Sequence, residues 1–223
     1  MSTRGRTMRR KGTKPAGRSR WLLSGLWLLL GCGPSLSETV PDNVIERLPK
    51  ASRRSVFQAE TIVTIALDRR ASVAREIQNL HRELRKTGEI MRLTDKRLDK
   101  AEGGEKGRIE QEIEVLEVKE ELLERQIDHQ EIALKLADYE VILARAQFEL
   151  SKVKLVKKHS IKFGEDEEDF VEQVQSIQED VNDQREVVAE DERELKQQEE
   201  SFLALKKKYN MMDGEPSKGW WAQ

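Results

Sequence analysis

The chain has 223 residues, 37% of them charged and 5% aromatic, with a formal net charge of −2. That mixture suits long helices and coiled coils and excludes a compact core built on aromatic and β-branched bulk. A single cysteine excludes an intrachain disulfide.

The charge is unevenly spread from the start. Residues 1–20 carry eight basic side chains and no acid. An apolar run, WLLSGLWLLLG, follows and ends at Cys32. Counted to Gly33 it is about 13 residues, short of the roughly 20 that a helix needs to cross a bilayer. A basic region followed by a short apolar one has the form of a secretory signal peptide. Removing residues 1–31, which hold eight of the 40 basic residues and none of the 42 acidic ones, leaves a net charge of −10. Phosphate binding rests on clustered positive charge, so so acidic a remainder argues against nucleic acid as a partner.

The order Leu29, Leu30, Gly31, Cys32 resembles the bacterial lipobox. The resemblance implies cleavage between Gly31 and Cys32 and acylation of the Cys32 thiol, with the bilayer as partner. Two or three acyl chains anchor stably where one binds only marginally. Met8 offers a second start, giving a signal of 8–31. The pair Arg9 and Arg10 is followed by KGTKPAG rather than an apolar stretch, so twin-arginine export is not favoured. Gly33, not aspartate, follows the cysteine; by resemblance to enterobacterial sorting this implies an outer-membrane lipoprotein facing the periplasm. Residues 32–54 contain Pro34, Pro41 and Pro49 and no sustained apolar period, so they are expected to form a flexible tether. One helical turn is expected over 43–48.

From Ser55 a seven-residue apolar period begins, with Ser55 and Gln58 at capping-box spacing. The first seam runs Val63, Arg70, Ile77, Leu84, Met91 and Leu98, alternating with Ala66, Val73, Leu80, Thr87 and Thr94. Similar seams pass through Ile113 to Leu155 and through Val174 to Tyr209. The glycines of EGGEKG (102–107) and of HSIKFGEDEED (159–169) divide the period into about 55–101, 106–158 and 166–211. Acids open the second and third segments and bases close all three, each well-placed charge being worth about 0.3–1 kcal/mol against the helix dipole. Short connections favour antiparallel neighbours. The fold expected for 55–212 is therefore all-α, an elongated antiparallel three-helix coiled-coil bundle about 70–80 Å long. Its apolar face is expected to be widest near the tether, where Ile62, Ile65 and Leu67 add to the seam. A hairpin whose third helix pairs with another chain is the other arrangement, and homo-oligomerisation is open. Residues 213–223 form a tail.

Catalytic chemistry has no foothold in the pattern. His81, His129 and His159 lack a histidine partner three or four residues away and read as solvated polar residues. The acidic run at 165–169 lacks the spacing of a calcium loop and reads as a helix start. No cofactor, metal or catalytic residue is expected. Two stretches suit interaction. YEVILARAQFELSKVKLV (139–156) is similar to the coiled-coil helices of periplasmic efflux adaptors and outer-membrane efflux channels, without their β-domains. The tail places Trp220 and Trp221 together, either to fold back onto the bundle or as a candidate anchor for a protein or a bilayer interface. It lacks the terminal lysine of the small murein-linked lipoprotein, so wall linkage is not implied. The function expected is a non-catalytic spacer or docking lipoprotein of the cell envelope. An accessory role in an efflux or secretion complex, or a cytosolic coiled-coil protein with a misassigned start, are the alternatives.

Overall fold

The computed structural model describes residues 35–212, with side chains as far as Tyr209. The expected signal segment 1–31 and the expected tail 213–223 lie outside the described residues. Among the described residues the fold is all-helical: α1 (Asp42–Ile45), α2 (Lys50–Leu98), α3 (Gly104–Lys158) and α4 (Glu167–Met212). At 1.5 Å per residue the three long helices measure about 74, 83 and 69 Å.

Each end has a local cause. α2 begins at Lys50, five residues before the expected capping box. Pro49 supplies the carbonyl that accepts from the Ser52 and Arg53 amides at 2.9 and 3.1 Å. A proline can lead into a helix because the first turn has no use for its missing N–H. Between α2 and α3 the backbone turns at Gly103, with φ 60° and ψ −132°, a conformation that suits glycine. α3 ends in a Schellman motif: the Ile161 amide donates to the Val156 carbonyl at 3.1 Å and the Ser160 amide to Lys157 at 2.9 Å. Ser160 holds the left-handed position, φ 53°, usually given to glycine.

α3 is the central helix. α2 packs along one side of it and α4 along another, while α2 and α4 share no extended interface. Ion pairs set both registers as antiparallel. Arg69 and Glu140 meet at 3.0 Å and Arg97 and Glu112 at 3.4 Å between α2 and α3. Arg125 pairs with Asp191 and Arg185 with Glu140 between α3 and α4. The third long helix thus packs within its own chain. Because α3 is covered from two sides, it buries apolar residues around much of its surface, from Ile109 and Leu116 to Val153 and Val156.

α2 meets one neighbour and buries little. Its fully buried residues are Val56, Thr87 and Thr94. Thr87 and Thr94 occupy the seam positions expected of them. Ile62, Ile65 and Leu67 do not join the core and are 48%, 59% and 42% exposed. One partner helix covers only one stripe of α2, and these three residues point elsewhere.

The expected flexible tether also differs. From Ser35 onward it is a strap laid on α3 and α4, with α1 as its single helical turn. Val40, Val44 and Leu48 are buried at 4%, 7% and 1% exposure. Val40 and Val44 share a cluster with Val153, Val156 and Phe170, and Phe163 packs its ring 6.2 Å from that of Phe170. Burying such side chains stabilises by about 1.5–3 kcal/mol each, which offsets part of the roughly 1–2 kcal/mol per residue that ordering the segment costs.

Candidate functional site

Gly31 and Cys32, the expected cleavage and lipidation positions, and Trp220 and Trp221, the expected partner-binding pair, lie outside the described residues. The nearest described element to Cys32 is the strap, which starts three residues later.

Two side chains latch it. Gln173 on α4 accepts the Ser37 amide and hydroxyl, both at 2.7 Å, and the Glu38 amide at 2.9 Å. Glu149 on α3 accepts the Val40 amide at 2.8 Å and the Lys152 ammonium at 2.7 Å. Glu149 and Lys152 are 7% and 9% exposed, and the ammonium lies 4.3 Å from the centroid of the Phe148 ring. These contacts give strap amides partners where no regular helix or sheet does. Ahead of both latches in the chain, Leu36 packs into the cluster of Leu143, Ala146, Ile177 and Val181. Beyond them Arg53 donates to the carbonyls of Leu48, at 2.9 Å, and of Glu46, fixing the turn into α2. Sequence reasoning missed the strap. The one signal for it was the four-residue spacing of Val40, Val44 and Leu48 across the prolines.

A carboxylate beside this region is strained electrostatically. Glu165 is pushed above its ordinary range by burial, then by the charges of Glu38 and Asp169. One of its carboxyl oxygens is buried without a hydrogen-bond partner.

The second feature lies mid-length, where α2 and α4 flank α3 without meeting. A hollow of about 540 Å³ there is lined by Leu80, Gln126, His129, Leu195 and Lys196 among others. Its polar floor is internally paired. His129 Nδ1 lies 2.8 Å from Asp191, which also accepts from Arg125. Burial raises the Asp191 pKa, but the Arg125 and His129 contacts outweigh it and hold the carboxyl below its ordinary range. Glu140 shows the same balance. Burial raises it, while Arg185 and Arg69, each at 3.0 Å, hold it lower. Through Glu140, α2 and α4 are bridged by charge where they are not packed.

These pairs account for the histidines. His81 is exposed. His129 and His159 differ from the expected solvated residues: the first is paired with Asp191, and the second lies 2.7 Å from the Ser52 hydroxyl, joining the end of α3 to the start of α2. The acids at 167–169 do open α4, as expected of a helix start. Among the described residues no group of His, Cys, Asp or Glu is placed to hold a metal, and no helix is long and apolar enough to cross a membrane. The geometry offers a latched strap, an ion-paired trough and an uncovered apolar surface on α2. Comparison with known protein families, with curated proteins and with solved structures finds no match.

Proposed function

We propose that this chain is a lipoprotein of the bacterial cell envelope, acylated at Cys32, and that its helices serve as a non-catalytic spacer or docking module. The observation that carries the reading is the order of parts: a basic segment, a short apolar run, Leu29, Leu30, Gly31, Cys32, then an acidic helical body. On this reading Gly31 precedes the cut, residues 1–31 are removed, and the outer membrane holds the chain on its periplasmic side. The three long helices wind as a coiled coil and present a surface of about 70 Å. Trp220 and Trp221 form a second contact at the other end of the chain.

The packed strap supports the reading by making it mechanically useful. An anchor joined three residues before Ser35 transmits its position to α3 and α4 rather than through a long slack linker. The test is crosslinking in intact envelopes followed by recovery of the protein. A spacer or docking module is recovered from the membrane fraction, with a defined partner lost when Cys32→Ser releases it. Recovery of the parent chain from the soluble cytosol with an unprocessed amino terminus would overturn the reading.

A further inference from the structure

Among the described residues, four of the seven large hydrophobic residues that stand exposed, Phe57, Ile62, Ile65 and Leu67, fall within eleven residues of α2. Ile62 and Ile65 lie on a continuous exposed stripe that also includes Arg54, Gln58, Ser72 and Glu76. The steps of three, four or seven residues keep one stripe along a helix. This stripe is nearly symmetric about Ile65. Gln58 and Ser72 stand seven residues to either side, and Arg54 and Glu76 stand eleven to either side with opposite charges.

We propose that this face of α2 binds the same face of a second copy, antiparallel, with the two-fold axis passing at Ile65. In that arrangement Ile65 meets its own counterpart, Ile62 of each copy lies across from the exposed Asp68 and the aliphatic stem of Arg69 of the other, and Arg54 of each copy faces Glu76 of the other. A parallel pairing in register would set Arg54 against Arg54 and Glu76 against Glu76. Charge therefore selects the antiparallel form. Arg54 has no partner of its own among the described residues. Glu76 accepts one long contact, from Asn79 at 3.3 Å. Arg69 on the same side is already held by Glu140, so it need not be left unpaired by the approach.

The strap adds an independent argument for this occupant. Arg69 and Arg70 stand beside Glu140 and Asp138. Counting back along antiparallel α2 and forward along α3 brings Ile62 and Ile65 to the height of Leu143 and Ala146, where Leu36 packs. A two-fold at Ile65 thus puts Leu36 of both copies at the same height, at the waist of the pair. Two chains joined to one membrane can meet that geometry, although the pairing itself does not depend on lipid. The shared stripe from Arg54 to Glu76 spans about 35 Å of a single helix. At about 10 Å wide it covers roughly 350 Å² per copy, about 700 Å² in the pair, below the roughly 1,200–2,000 Å² of standard stable interfaces, so the pair is expected to be reversible.

The experiment uses the full chain carrying Cys32→Ser, so that any thiol is an introduced one. Ile65→Cys is expected to form a disulfide-linked dimer on mild oxidation. Arg54→Cys and Glu76→Cys are each expected to stay monomeric alone and to crosslink when mixed. Helix content by circular dichroism confirms that these exposed substitutions leave the fold intact. Self-crosslinking of Arg54→Cys or Glu76→Cys alone would show a parallel pair and overturn the proposal. So would a protein with Ile65→Cys that never crosslinks while the parent sediments as a monomer at every concentration, and so would protection of that thiol by lipid vesicles but not by added parent chain.

Discussion

Replacing Glu149 by alanine tests whether the strap is part of the fold. The carboxylate accepts both the Val40 amide and the Lys152 ammonium, and both side chains are more than nine-tenths buried. Its loss strands the ammonium, at about 3–5 kcal/mol for a buried pair broken from one side. The orphaned Val40 amide adds up to about 1–3 kcal/mol. Water that enters as the strap lifts relieves both groups, so the two costs overlap, and the total is set at about 3–5 kcal/mol. For a chain of this size that lowers the melting temperature by about 6–20 °C. Glu149→Leu combined with Lys152→Met removes the charge problem and leaves only the amide, so the double variant should recover all but about 1–3 kcal/mol. Urea unfolding followed by circular dichroism gives the free energies, and hydrogen exchange at Val40 shows whether the strap has opened. A loss below about 1 kcal/mol in Glu149→Ala, or a double variant no more stable than the single one, would refute the latch.

Ser160→Gly should stabilise by about 1 kcal/mol, since φ 53° is costly for a side-chain-bearing residue, and Gly103→Ala should destabilise by about 1–2 kcal/mol; thermal melts compare them. Asp191 and Glu140 have lowered carboxyl pKa values, so each stabilises the fold above the ordinary carboxylate range, near about pH 4, and loses that contribution as pH falls through its folded value. Glu165 is raised, so its ionisation disfavours the fold, and protonation relieves it as pH falls from neutral. Melting temperature against pH should therefore hold or rise slightly on mild acidification and then drop. Asp191→Asn should shrink the drop and Glu165→Gln should remove the rise; an acid limb unchanged by Asp191→Asn would contradict the assignment.

The helices are legible because their signal is long: α3 and α4 keep a seven-residue apolar period over five or six heptads, about ten to twelve turns, and glycines and charge runs mark their ends. Period alone does not say how many neighbours a helix has. Ile62, Ile65 and Leu67 widen the apolar arc of α2, which implies more core, but α2 packs on α3 alone and leaves them outside. The strap was hidden for the opposite reason. Three prolines break any period across 34–49, and its polar latches, Gln173 and Glu149, come from residues more than a hundred positions away. Such pairings leave no local mark. His129 looked solvated because its partner, Asp191, is on another helix.

The account turns on the state of the Cys32 sulfur. Growing the native host with radiolabelled palmitate, with the parent chain and Cys32→Ser compared side by side, tests it most directly. Label in the parent, none in the Cys32→Ser protein, and release of the latter from the membrane fraction are the predicted results. An unlabelled parent, with an amino terminus at Met1 or Met8 and the same fractionation as Cys32→Ser, would contradict it.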